Sequence, residues 1–169
     1  MAARGRSAPG FTLIEMVTVM VLFGILAAIA APVMNSVFQS YFTGRDIADV
    51  DWQGRVALER MSRELRAIRA PADITITSAS DITFIDVEGN TIRYCLGAVG
   101  TCPGAAADLM RNSQPLASGV SGLAFSFLTR AAAATATPAQ VFYVNVDFTA
   151  TRNAVSRAHR TTVSPRNFP

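Results

Sequence analysis

Between Phe11 and Met34 the chain runs for 24 residues with a single ionisable side chain, Glu15, almost at its front edge. At 1.5 Å per residue such a run makes roughly 36 Å of helix, more than the hydrocarbon core of a bilayer at about 30 Å. It can therefore span a membrane. A secretory signal peptide has a shorter apolar region followed by a small-residue cleavage site. The segment "ILAAIAAP", residues 25–32, offers small residues, so cleavage after Ala30 or Ala31 is the alternative; the helix-forming sequence beyond it argues for retention. Arg4 and Arg6 precede the run without any acid. The positive-inside rule then places the N-terminus in the cytoplasm and everything from Asn35 onward outside.

Glu15 is costly in such a place. A carboxylate in hydrocarbon is unfavourable by a few kcal/mol on insertion scales, which makes it a functional residue by default. The plain alternative is that it sits in the headgroup layer, where the positive end of the helix dipole favours an anion.

Beyond Asn35 the chain alternates polar and apolar residues as a water-exposed domain does. All 15 basic residues are Arg, against 12 acids, and once Arg4 and Arg6 are set aside the remainder is close to neutral. That balance, spread along the chain, gives no nucleic-acid footprint, which needs basic charge gathered on one face. The absence of Lys removes P-loop, Schiff-base and Ser-Lys mechanisms together.

Pro32 withholds a backbone donor and is the expected site of a helix kink. After it, Val50, Ala57 or Leu58, Met61, Leu65 and Ile68 recur at spacings of three and four, an amphipathic stripe of helical period. Glu59 with Arg63, and Arg60 with Glu64, stand at i, i+4. Gly44 and Gly54 weaken the middle, and Pro71 marks the end. A continuous helix from Phe11 to about Ala70 is one reading; two helices joined near Tyr41 to Gly44 is the other.

From Asp73 the pattern changes to strands. "DITITS" and "DITFIDVEGNTIRYCL" are rich in Ile, Thr and aromatics, with Glu88-Gly89-Asn90 as a hairpin turn. "SGLAFSFLTR" places Leu123, Phe125 and Phe127 on one face, and "QVFYVNVDFT" does the same with Phe142, Val144, Val146 and Phe148. A last strand is expected from Ala154 to Val163, and "AAAATATPA" at 131–139 reads as an exposed loop. Such alternation suits an antiparallel sheet whose buried face lies on the helical stripe.

Cys95 and Cys102 are the only cysteines. In an exported domain two nearby cysteines generally pair, and "CLGAVGTC" closes a small loop; two free thiols is the alternative. The spacing is not C-x-x-C and no His is near, so no redox or metal site is expected. His159 lies in a polar, Arg-rich tail and reads as solvated. "GVSGL" at 119–123 has Leu123 where a nucleophile elbow needs glycine, and is expected to be a turn before a strand. Asp49 with Asp51, and Asp86 with Glu88, look like solvated faces, with no calcium-loop pattern. No catalytic residue, cofactor or metal is expected.

"GFTLIE", Gly10 to Glu15, after a short basic leader and before a long apolar run, resembles the cleavage and methylation signal of type IV prepilins and type II secretion pseudopilins. The resemblance implies an α+β pilin-like fold, a long N-terminal helix packed on an antiparallel head. It implies cutting by prepilin peptidase between Gly10 and Phe11, N-methylation of Phe11, and neutralisation of a neighbouring subunit's terminal amine by Glu15. The partners implied are other pilin or pseudopilin subunits, the peptidase and an inner-membrane assembly platform. Residues 45–69 are similar in texture to the larger minor subunits. The implied organisation is a leader at 1–10, a transmembrane and assembly helix at 11–34, its amphipathic continuation at 35–70 and a periplasmic or extracellular head at 71–169.

Two rival readings differ in class. A signal-anchored periplasmic enzyme or binding protein would need convergent polar groups in the head. A DNA-uptake subunit would need Arg152, Arg157, Arg160 and Arg166 gathered at a tip.

Overall fold

The computed structural model describes residues 10–168. Arg4 and Arg6, on which the expected orientation rests, and the rest of the expected leader before Gly10 lie outside them. The chain divides into two units, Met1–Thr43 and Gly44–Pro169. Helix α1, Leu13–Arg66, contributes residues to both.

In the first unit every described residue is exposed. Apolar side chains cover the whole circumference of this part of α1, from Phe11, Leu13, Ile14 and Met16 to Phe38 and Phe42. A helix that keeps a core of its own shows a stripe; one apolar all round needs lipid or other protein about it. By length and composition α1 is able to cross a membrane.

In the second unit α1 does show the stripe. Its buried positions are Val50, Gly54, Ala57, Met61 and Leu65, the three-and-four spacing of one face. Ala57 takes the core position and Leu58 packs partly against it. The helix ends at Arg66, short of Ala70, because the residues after it are drawn into other bonds. Ala67 and Ile68 donate to the carbonyls of Glu64 and Leu65, and Arg69 donates to Ile85. Ile68 forms a bridge with Asp86 and remains in the core although it is no longer helical. Ala70 is extended, as the residue before a proline prefers, and Pro71 opens a 3₁₀ turn, Pro71–Asp73. Of the two i, i+4 pairs expected here, Arg60 meets Glu64 at 3.2 Å. Glu59 and Arg63 form no ion pair among the described residues.

The head holds two antiparallel sheets where one was expected. Strands β1 (Ile74–Ser78), β2 (Asp81–Ile85), β3 (Thr91–Leu96), β4 (Leu109–Arg111) and β5 (Gln114–Ala117) pair in chain order. Strands β6 (Val120–Leu128), β7 (Tyr143–Arg152) and β8 (Val155–Val163) make the second sheet. Pro115 lacks an amide for a further ladder, which suits β5 to the edge where the first sheet stops. The β4–β5 hairpin was not expected from the sequence. It turns at Asn112, whose φ is +54°, a value Asn tolerates better than most residues.

The alternation seen in the sequence is realised in β6 and β7. Leu123, Phe125 and Phe127 are buried, as are Val144, Val146 and Phe148, and together with the α1 stripe they form one core. Phe142 stands just before β7 and is only half-buried. The register of β6 slips between Ser121 and Ala124, and Gly122 sits in the slip at φ +61°. The second glycine of "GVSGL" thus serves a bulge inside a strand.

Candidate functional site

Gly10 and Phe11 precede α1 as non-helical backbone, and Phe11 is 79% exposed. No atom outside the adjoining residues comes within 4 Å of where a Cβ on Gly10 would stand. Among the described residues nothing covers the bond between these two, as an endopeptidase requires of its substrate. Thr12 caps the helix. Its Oγ1 accepts from the Glu15 amide at 3.4 Å, and its carbonyl accepts from the Met16 amide at 3.2 Å. Thr12 and Glu15 have the S/T-x-x-E spacing of a capping box, a signal that was readable in "TLIE" but not anticipated. Glu15 lies in the first turn of α1, exposed and without an ion pair among the described residues. Here the helix dipole favours its charge. Pro32 lies inside α1, so the carbonyl of Ala28 has no amide four residues on.

Several polar groups of the head are bound to one another. Glu64, on α1, is gripped by a cross-strand pair: Tyr94 on β3 and Arg111 on β4 stand opposite each other in register. The Tyr94 hydroxyl donates to Glu64 Oε2 at 2.6 Å, and Arg111 Nε donates to both oxygens at 2.9 and 3.0 Å. Arg60 Nε adds a bond at 3.2 Å. Burial alone would push the Glu64 carboxyl up; the bonds from Arg111, Tyr94 and Arg60 outweigh it and hold the group below the usual carboxylate range. Burial, then the bond to Glu64, push the Tyr94 phenol well above its ordinary value, so it remains a donor. Sequence separations of 30 and 47 residues hid this cluster, of which only Arg60 and Glu64 could be paired by spacing.

A second clamp joins Arg93 to Asp81, with Nε to Oδ1 at 3.0 Å and Nη2 to Oδ2 at 2.6 Å. Arg93 Nη2 also donates to Thr101 Oγ1 at 2.9 Å, inside the loop that Cys95 and Cys102 close by a disulfide, their Cα atoms 5.9 Å apart.

Three expectations for the head are corrected. His159 is buried, not solvated: its ring stacks on Phe148 with centroids 5.2 Å apart, and its Nε2 finds no hydrogen bond. It points inward because β8 pairs Phe148 with His159 on the core face. Asp86 is buried too and organises the β2–β3 turn, accepting from the amides of Glu88 and Asn90 at 2.9 and 2.8 Å. Asp49 and Asp51 are not merely solvated, for Arg152 pairs with Asp49 and Arg55 with Asp51. Arg152 also reaches Asp46 at 3.5 Å, and Arg160 pairs with Asp147 across β7 and β8. Two of the four arginines that a DNA-binding tip would need are therefore neutralised within the head. Ser121 of "GVSGL" is an exposed strand residue, and the lone histidine lies outside its hydrogen-bonding company. No group of three or more His, Cys, Asp or Glu able to hold a metal occurs among the described residues.

Residues 5–31 match the family model described as the prokaryotic N-terminal methylation motif. The chain carries a type IV pilin-like signal, and its long helix followed by antiparallel sheets is an α+β architecture consistent with a pilin-like fold. The motif points to a structural subunit. No curated protein matches the chain.

Proposed function

We propose that the chain is a minor pilin or minor pseudopilin, a structural subunit of a type IV pilus or type II secretion filament. Prepilin peptidase cuts between Gly10 and Phe11 and methylates the new amine of Phe11. The subunit waits in the inner membrane as a single-pass protein, N-terminus in the cytoplasm and head in the periplasm, until the assembly platform adds it to the filament. The carrying observation is the coincidence of the methylation motif at 5–31 with a helix whose apolar residues are exposed on every side through Thr43. Such a surface can be covered by lipid or by the apolar helices of other subunits, which lets one segment serve both states.

Glu15 fits the transfer between them. An α-amino group at the rim of a low-dielectric bundle is expensive alone, and a carboxylate from the next subunit offsets much of that expense. A residue unpaired in the monomer and paired in the filament favours entry.

Intact mass and N-terminal sequencing of the protein from cells with and without active prepilin peptidase test this reading. A chain beginning at N-methyl-Phe11 only with the peptidase present is the expected result. A start at Met1, or near Ala31 or Pro32, overturns it.

A further inference from the structure

Most arginines of the second unit are spoken for by carboxylates, but six described arginines have no such partner: Arg45, Arg63, Arg66, Arg130, Arg157 and Arg166. Arg130 lies over the ring of Phe142, 5.1 Å from its centroid. Of the remaining five, three line one cavity. Arg63, Arg66 and Arg166, with Ala67, Val87 and Asn167, surround a space of about 500 Å³.

Two ordinary explanations for this grouping are weak. Arginine in the last turn of a helix can satisfy free carbonyls at its C-terminus. Here the carbonyls at and just past the helix end are engaged by other groups: Arg66 accepts from the Arg166 amide, Ala67 from the Val87 amide, and Ile68 from the Asn167 side chain at 3.1 Å. Neither does Glu59 neutralise Arg63, although it stands one turn away in the favourable order. Three arginines thus line a space that holds no carboxylate side chain among the described residues, an arrangement of like charges unfavourable by itself.

We propose that this cavity receives an acidic side chain from a segment of another protein, with an apolar residue of the same segment lying on Val87. Guanidinium forks bind carboxylate two bonds at a time, and three of them around one space match one or two carboxylates. Val87 is 56% exposed beside them and supplies the apolar contact that a peptide, unlike a free anion, would use. A nucleic-acid strand is the lesser fit. It needs a track of cations, and Arg152 and Arg160, which could extend one, are paired with Asp46, Asp49 and Asp147. The cavity is made only of residues in the second unit, so the inference does not depend on how the N-terminus is processed.

The test uses the purified full chain in detergent at about 0.15 M salt, where weak surface attraction is screened. The probes are a labelled peptide of alternating glutamate and leucine, its glutamine analogue, acetate and a short single-stranded oligonucleotide. Expected is saturable binding of the glutamate peptide, weakened about tenfold or more in the double variant R63Q/R166Q. R157Q, which removes an exposed arginine outside the cavity, should bind as the parent does. V87A should weaken the glutamate peptide further than it weakens binding of acetate. Equal binding by parent and R63Q/R166Q, equal loss in R157Q, or tighter binding of the oligonucleotide overturns the proposal.

Discussion

The imidazole of His159 occupies the space that a Cβ on Gly54 would fill. All three ring atoms nearest to that position belong to His159. Helix α1 and strand β8 therefore approach each other through a glycine, and the residue that weakens the helix locally is the one that admits the ring.

The sign of a substitution at 54 follows from this contact. In an open helix, glycine to alanine stabilises by about 1 kcal/mol. Here Gly54→Ala should destabilise the head by about 1–3 kcal/mol, since extra volume in a packed core forces neighbours aside. In a His159→Ala background the same change should turn favourable. Urea unfolding of the four proteins of this cycle measures it; destabilisation by Gly54→Ala that persists without the ring would show the contact to be irrelevant.

Glu64 gives the head a defined acid dependence. A carboxyl held below its unfolded value contributes stability that is present above the unfolded pKa, about 4.3, and is lost as pH falls through the lower folded value. Glu64→Gln should reduce stability at pH 7 by about 2 kcal/mol, because Arg111 and Tyr94 lose a charged partner. Its stability should also fall less steeply than the parent's below pH 4.5 or so. Asp73 and Asp86 are lowered as well, so the variant retains some acid dependence. Parallel curves for parent and variant would mean that Glu64 does not titrate differently on folding. Tyr94→Phe, which removes one donor and no charge, should weaken the head by about 1 kcal/mol and shift the same window upward.

The acid cluster also shows where sequence reading stops. Local signals carried far: the apolar run, the α1 stripe, the turn at Glu88-Gly89-Asn90 and the alternation in β6 and β7 are all set by neighbours within a few residues. His159 was misread because its neighbours Arg157 and Arg160 are polar and exposed, while in β8 only His159 and Val163 are buried against the core. The β4–β5 hairpin was missed since three- and four-residue strands are too short for a period to register. Tyr94 and Arg111 meet Glu64 only through the register of two strands against a helix, which no spacing in the chain encodes. Splitting the head into two sheets depends likewise on where one edge strand, β5, ends. The signal at Gly10 to Glu15 was legible because it is written in consecutive residues, inside the methylation motif matched at 5–31.

The disulfide closes a loop of a few residues within β3 and the turn after it. By chain entropy such a link is worth about 2.5 kcal/mol. Replacing Cys95 and Cys102 together by Ser should lower the urea midpoint accordingly, and reduction of the parent should reproduce most of the loss. The Arg93 bonds to Asp81 and Thr101 hold the same loop from the other side. If the serine variant keeps the parent midpoint, those bonds suffice and the disulfide adds protection against other insults only.

The assembly reading makes its sharpest demand on Glu15. Its carboxylate lies in the first turn of α1, exposed, with no ion-pair partner among the described residues and no part in the core. Removing it should leave the head's unfolding curve unchanged and should not prevent cleavage after Gly10, where no described residue covers the bond. Entry into the filament is the step that should suffer, since a neighbouring amine would then be left without a counter-charge in an apolar bundle. Glu15→Ala is expected to reduce the filament-associated fraction about tenfold or more while the membrane-held, processed form accumulates. Glu15→Asp keeps the charge but shortens its reach and should fall between. Sheared filaments and membranes, compared by immunoblot with N-terminal sequencing of both, report the two steps separately. A processed Glu15→Ala protein found in filaments at the parent level would remove the carboxylate from assembly and leave it as part of the helix cap alone.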